Sequence, residues 1–453
     1  MTDLPSFDRR VFRVGWLFDG VQRFVPDAEL FIEKGMVQGI CSRSSHAADA
    51  AKLRLDFADA EIINLPRSLL LPGLINSHHH FYSAFACGLK LEDNPQNFRD
   101  ILRTLWWRLD RALDKEAVAL AALVSALDGL HHGCTAIIDH HSSPSFIRGS
   151  LPTMAETIAP LNLTTVLCYE VTDRNGPHAF EDAVTENLDF AEQAAHNDRS
   201  RGLFGLHASF TLSADSLQRV KTLKPDKLPV HVHVAEDRCD VEDAQSQHFT
   251  GPLTRLFENG MIAEHSIIAH GVHLDPKELE IIRDFDVCVA HCAESNANNR
   301  VGHVSPHSFP PALLLLGTDG MSSNLLATLR ATYLLASAHG KAPNFDLLAA
   351  MLWHNPARYL SRLFGRSIGR VREGELADFA IFPYDPPTPI TRENLINHLV
   401  FGLSLRAEAA WVYANGVSVI EDGRAVTMDE EGICHAAREA AQRTWKRFAE
   451  LIA

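Results

Sequence analysis

The chain of 453 residues is short of positive charge. Lys and Arg number 42 against 57 Asp and Glu, a formal net charge of −15. Nucleic acid is disfavoured as a partner, because neutralising phosphates needs a basic face. An anionic membrane surface is disfavoured for the same reason. No run of about 18 uninterrupted apolar residues occurs, so no membrane span is expected. The opening MTDLPSFDRR lacks the basic stretch followed by an apolar one that marks a secretory leader. A cytoplasmic location is the expectation. Cysteine is sparse: Cys41, Cys87, Cys134, Cys168, Cys239, Cys288, Cys292 and Cys434 are scattered along the chain. In a long chain without a secretion signal they read as reduced thiols. The nearest approach to a metal knuckle, CVAHC at 288–292, has no second pair, so its thiols are expected to pack within a strand. Internal repeats, low-complexity tracts and blocks of like charge are missing too.

Apolar residues are plentiful, and they come in a rhythm. The chain is 46% hydrophobic and 22% charged, a globular composition with room for a large core. Its length exceeds one ordinary compact domain unless that domain is a large barrel. From about residue 10 to 70 it reads as short strands and turns. From 70 to about 362 short apolar runs alternate with helical stretches. The runs are LLPGLINSHHH (70–80), GCTAIIDHH (133–141), LTTVLCYEVTD (163–173), RGLFGLHASFTLS (201–213), LPVHVHVAED (228–237), HSIIAHGVHL (265–274), DVCVAHCAESN (286–296) and ALLLLGTDG (312–320). Helical candidates between them include 114–132 and 181–197. Strand alternating with helix eight times predicts an α/β fold, a (β/α)₈ TIM-like barrel over 70–364. The runs are apolar throughout, as parallel strands buried on both faces should be. After 365 the short-strand pattern returns. Residues 1–69 and 365–453 are therefore expected to pair into a small composite β-sandwich domain beside the barrel.

In such a barrel the chemistry sits at the C-terminal ends of the strands. Strand one ends in His78, His79 and His80. Alternate side chains share a face, so His78 and His80 point together and His79 points away. Strand five places His231 and His233 on one face, with Glu236 just beyond. Strand six ends at His270 and strand eight at Asp319. Singly, each has an ordinary explanation: a hydrogen-bonded core histidine, or an aspartate capping the next helix. Together they place four polar strand ends at one mouth, and that much buried polarity is costly unless something pairs with it. A divalent metal is the natural partner. Three imidazoles and one carboxylate suit zinc, and also ferrous iron or manganese. No lysine ends strand four, so a carboxylated lysine bridging two ions is not indicated and one ion is expected.

These stretches resemble a known family. PGLINSHHH, HVHVAED, IIAHGVHL and LGTDGMSSN are similar to the strand-one, -five, -six and -eight motifs of the amidohydrolase superfamily. NPARYLSRLFGRSIGRVREGELADFAIF resembles the segment leading back into that family's composite β-domain. The resemblance covers nearly the whole chain. It is nearest the cytosine-deaminase and chlorohydrolase-like branch, and HFYSAFACGL, LWWRLDRAL, IDHHSSP, LCYEVTDRNG and GLHASFTLS resemble the SsnA group of aminohydrolases. One departure is visible: in VAHCAESNANN, Cys292 and Ala293 stand where Asn-Pro is expected.

The resemblance implies that His78, His80, His233 and Asp319 hold one divalent ion. Asp319 and His270 would orient a water and take its proton, and Glu236 would protonate a substrate nitrogen. The implied activity is deamination of a purine, pyrimidine or pterin by metal-activated hydroxide, with release of ammonia. Cyclic-amide hydrolysis without ammonia is the runner-up, and dechlorination of a triazine-like ring a more distant third. A scaffold protein should have lost ligands, and this chain retains them. The expected partners are a small heterocyclic substrate and further copies of the chain, as a homodimer or larger homo-oligomer. His207 after strand four, Arg174 after strand three and Trp106 after strand one are candidate substrate contacts. The arginine could grip a carboxylate or exocyclic oxygen, and the tryptophan could stack on a flat ring. A second-shell histidine, a surface arginine and a packed tryptophan are the plainer alternatives. His140 and His141 end strand two, and one of them is a candidate for the pocket wall.

Overall fold

The computed structural model describes residues 9–91 and 94–451. Most of the segment searched for a leader, residues 1–8, lies outside the described residues. Four strands open the chain: β1 (Arg9–Phe18), β2 (Phe24–Glu33), β3 (Met36–Ser42) and β4 (Glu61–Pro72). Nine short ones follow: β5 (Leu74–His79), β6 (Cys134–His141), β7 (Thr164–Tyr169), β8 (Ser200–Gly202), β9 (Phe204–Ala208), β10 (Val230–Val234), β11 (Ile267–His270), β12 (Cys288–His291) and β13 (Leu314–Leu316). The last four are β14 (Phe379–Pro383), β15 (Trp411–Ala414), β16 (Val417–Glu421) and β17 (Arg424–Ala425).

Strands β5 to β13 form the barrel. β5-β6-β7-β8 and β9-β10-β11-β12-β13 are two parallel sheets. β8 and β9 are two pieces of the fourth strand, parted at Leu203. The β7 side holds both pieces, through Leu203 N–H to Leu167 O at 3.1 Å and Val171 N–H to Gly205 O at 3.2 Å. At the other seam Asp319 N–H donates to His78 O at 2.9 Å, and His79 pairs with Asp319 as a parallel bridge. The ring closes with eight strands, as the repeated runs predict. Closure needs a glycine: a Cβ on Gly317 would lie 2.8 Å from the His78 Cβ and 3.0 Å from its backbone. The predicted helix over 114–132 is Lys115–His131, capped by the Asp114 side chain, which accepts from Ala117 N–H at 2.9 Å. That cap relieves one of the donors every helix start leaves unpaired. The predicted helix over 181–197 starts earlier, spanning Gly176–Gln193.

The apolar run beginning at residue 70 is shared between two sheets. β4 carries it to Pro72 in the flanking sheet, and β5 resumes at Leu74 in the barrel. The flanking sheet joins both ends of the chain in the order β17-β16-β15-β14-β4-β1-β2-β3. β1 and β15 are three strands apart, roughly 14 Å on a flat sheet. Yet the rings of Phe12 and Tyr413 lie 5.7 Å apart, and Phe379 and Trp411 lie against Phe12 at 5.5 and 5.4 Å. The sheet therefore curls over its own apolar face, as a sandwich does. The final helix, Glu430–Glu450, leaves this sheet and docks on the barrel. There Trp445 Nε1 donates to Phe85 O at 2.7 Å and Arg447 Nε to Ala112 O at 2.7 Å. Among the described residues no helix is long and apolar enough to cross a membrane. All eight cysteines are free, with Cys288 and Cys292 buried.

Candidate active site

The strand ends bring His78, His80, His233, His270 and Asp319 into one buried cluster. Asp319 Oδ1 lies 2.9 Å from His80 Nε2 and 3.2 Å from His78 Nε2. His233 Nε2 lies 3.3 Å from His80 Nε2. Donor atoms of His78, His233, His270 and Asp319 all fall within 4.8 Å of one another. His270, expected from sequence to orient a water, is thus packed among the expected metal ligands.

The partners of the far ring nitrogens decide what these imidazoles offer. His80 Nδ1 donates to His140 O at 2.5 Å and His233 Nδ1 to His207 O at 2.8 Å. A backbone carbonyl only accepts, so both rings carry their proton on Nδ1. The Nε2 atoms of His80 and His233 then face each other across 3.3 Å. His270 follows the same rule. Its Nδ1 is 2.8 Å from Asn296 Oδ1, and its buried Nε2 has no hydrogen-bond partner. Burial holds His78 down to about 3 and His233 well below its ordinary value, so both rings are neutral. Burial also pulls His80 down, but the Asp319 carboxylate overrides it and lifts that ring to about 9. Converging lone pairs around one carboxylate call for a cation. Fixing each imidazole from behind is how metal-binding histidines are oriented. The donor set fits a divalent ion.

Glu236 stands beside this cluster, its Oε2 3.5 Å from His270 Nε2 and its Oε1 accepting from Asn299 Nδ2 at 3.1 Å. Burial raises its carboxyl to about 7 against the opposing pull of His270. A group poised there can both take and give a proton at neutral pH. Three non-glycine residues at these strand ends hold left-handed backbone: Ala235 (φ 50°), His270 (φ 73°) and Asp319 (φ 56°). Such strain costs about 1–3 kcal/mol each and collects where side chains must be aimed.

The departure at Cys292–Ala293 leaves the loop's work intact. Cys292 is fully buried and starts the short helix Ala293–Asn298. That segment sends Ser295 Oγ to Asp319 Oδ2, Asn296 to His270, and Asn299 just after it to Glu236. The sequence reading missed all three supports. The middle histidine of strand one also differs from expectation. It does face away from its neighbours, but His79 is no bystander. Its Nδ1 meets Thr318 Oγ1 and Asp319 O at 2.9 Å each, and its Nε2 meets Ser125 Oγ at 2.7 Å. It clips strand one to the loop that carries Asp319.

A pocket of about 630 Å³, counting space open to solvent, covers the cluster. Trp106 lines it edge-on to Tyr82, at 6.2 Å between rings. His207 lines it too, with Nδ1 3.0 Å from Thr211 Oγ1. Arg174 is not among the lining residues. Its guanidinium is drawn to Asp110 and Ser142 and lies over the Trp107 ring at 5.4 Å. His140 and His141 are fully buried behind the wall. Four acids that line the pocket were not singled out from sequence: Asp110, Glu170, Asp237 and Asp240. Glu170 had a legible signal, since it follows an apolar run as the other strand-end groups do.

The chain is similar to the 5-methylthioadenosine/S-adenosylhomocysteine deaminase of Desulfitobacterium hafniense. The two are 26% identical over 436 residues, covering 93% of this chain and 95% of the relative. Among solved structures it is similar to an adenosine deaminase from Xanthomonas campestris with bound zinc. There the TM-score is 0.80 at 20% identity, over 96% of this chain and 98% of that one. The zinc complex of the atrazine chlorohydrolase TrzN from Arthrobacter aurescens TC1 gives 0.75 at 19% identity, over 95% and 100%. At such identities the structural likeness speaks for the fold. The matching family model, described as Amidohydrolase family, runs over residues 69–425. That span takes in every strand end described above, and the chain belongs to the amidohydrolase family.

Proposed function

We propose that the chain is a metal-dependent aminohydrolase that hydrolyses a carbon–nitrogen bond of a small nitrogen heterocycle and releases ammonia. One observation carries this reading: a donor cluster fit for a divalent ion stands beside a buried glutamate whose carboxyl is lifted to about 7. The names of the similar deaminases support it, and zinc in both solved structures supports zinc as the ion. When bound, a divalent ion lowers the pKa of water and polarises the atoms it touches.

The protein's own groups do the rest. His78, His80, His233 and Asp319 would hold the ion. Asp319, whose Oδ2 takes the Ser295 hydroxyl, orients a water with its other oxygen. The unpartnered Nε2 of His270 is placed to accept that water's proton. Glu236 delivers one proton to the substrate ring nitrogen and one to the departing amine, each made good by one of the water's two protons, with His270 Nε2 3.5 Å away to pass them on, a service worth typically ~10²- to 10⁴-fold. Asn299 holds Glu236 by one bond of 3.1 Å. Asn299→Ala should lower kcat about tenfold, the effect of one lost hydrogen bond to a charged group, with metal content unchanged. Steady-state kinetics and metal analysis check this, and an unaltered kcat would remove Asn299 from the positioning role.

The reading is tested by giving zinc-loaded protein a panel of purines, pyrimidines and pterins and recording product masses and ammonia. A gain of about 1 Da with equimolar ammonia is the expected result, an amino group having become an oxo group. A gain of about 18 Da without ammonia would mean ring opening and would overturn it.

A further inference from the structure

Glu170 is a buried acid in the pocket that the chemistry above leaves unused. It follows β7, is 3% exposed and lines the pocket. Its Oε1 pairs with His140 Nδ1 at 3.1 Å. His140 Nε2 is committed to the carbonyls of Leu206 and His231, at 3.1 and 3.0 Å. The pair is therefore locked in place by backbone. The other oxygen, Oε2, is different. His207 Nε2 and the Arg174 guanidinium each stop at 3.9 Å from it, beyond hydrogen-bond reach. Among the described residues Oε2 has no hydrogen bond. One oxygen of Glu170 lies within 4.8 Å of donor atoms on His80, His140 and His233, and the side chain lines the pocket that covers them.

The two glutamates have their histidine partners on different parts of the ring: Glu170 follows β7, which adjoins β9 on one side of the His233 strand, and His270 ends β11 on its other side. Glu236 stands by His270 and Glu170 stands by His140. Among the described residues neither Lys nor Arg lines the pocket. A ring carbon bearing the leaving amino group has two ring neighbours. On the aminohydrolase reading, on which this inference rests, the neighbour facing Glu236 is a bare nitrogen that takes a proton. The neighbour facing Glu170 meets a carboxylate oxygen, which can only accept. It must be an N–H. Among the common purines, pyrimidines and pterins, an amino carbon between one bare nitrogen and one N–H is that of the 2-amino-4-oxopyrimidine unit, present in isocytosine and, fused to a second ring, in guanine and pterin. At the amino carbon of adenine or cytosine the second neighbour is carbon.

We propose that Glu170 is the specificity-determining residue of this site, its free oxygen accepting the ring N–H beside the amino-bearing carbon of a 2-amino-4-oxopyrimidine ring. In the reaction, water's oxygen bonds to that carbon and the bond to the exocyclic nitrogen breaks. One of water's protons ends on the ring nitrogen facing Glu236 and the other on the departing ammonia. The N–H held by Glu170 is unchanged throughout.

The test has two parts. In the first, zinc-loaded protein is assayed for kcat/KM on isocytosine, guanine and pterin against adenosine and cytosine. The expected preference for the first set is roughly 10²-fold or more, because a buried acceptor left unmatched penalises the wrong ring heavily. Glu170→Gln should cost the first set about tenfold and Glu170→Met about a hundredfold, with zinc per chain unchanged. In the second part, calorimetry measures isocytosine binding to Glu236→Gln and to the same variant carrying Glu170→Met, which needs no turnover. Weaker binding in the double variant is expected. A wild-type preference for adenosine or cytosine would overturn the proposal, as would isocytosine binding indifferent to Glu170. Glu170-dependent binding without ammonia from any ring would instead overturn the aminohydrolase reading and leave the contact standing.

Discussion

Glu236→Gln should give a folded, zinc-holding protein whose turnover falls by roughly 10²- to 10⁴-fold. The substitution keeps the side chain's length and its bond from Asn299, since an amide oxygen accepts from Nδ2 as a carboxylate oxygen does. It removes only the capacity to carry a proton. The metal should stay, because Glu236 is not one of the converging ligands: its contact in the cluster is 3.5 Å, to His270 Nε2. Removing a buried carboxyl that is lifted to about 7 should not destabilise the fold, because burial opposes its charge. Metal analysis, thermal unfolding and kinetics on one preparation separate the three statements. Turnover within a few-fold of wild type would sink Glu236 as the proton carrier. Loss of zinc together with activity would recast it as a ligand.

The sequence was legible where physics makes a residue's surroundings obvious. Eight apolar runs in a barrel rhythm gave the fold, and polar groups capping such runs gave His78, His80, His233, Glu236, His270 and Asp319. Their burial at one mouth follows from the parallel arrangement alone. What was not legible depends on contacts between distant segments. Ser295 and Asn296 sit in a short helix of ordinary polar composition and Asn299 just after it, and only the folded chain shows them bonded to Asp319, His270 and Glu236. Arg174 reads as a free cation in LCYEVTDRNG until Asp110, 64 residues earlier, is found against it. His79 shows the limit of periodicity. Alternation correctly sends it away from its neighbours, but cannot say that Thr318 and Ser125 wait on that side.

His233→Ala should abolish both metal and activity, and it should also abolish a thermal response. His233 is a proposed ligand whose direction is firmly set, with Nδ1 bonded to a backbone carbonyl and Nε2 facing His80. An ion that binds only the folded chain stabilises it by about 4 kcal/mol when present at a thousand times its dissociation constant. For a chain of this size that amounts to several degrees in Tm. Wild-type protein stripped by a chelator should therefore unfold earlier and recover on adding zinc, whereas the variant should unfold at one temperature with or without zinc. Some stability is lost independently through the cavity, and the zinc response is read separately from that offset. A variant that still takes up one zinc per chain, with the wild-type gain in Tm, would show that His78, His80 and Asp319 hold the ion without strand five.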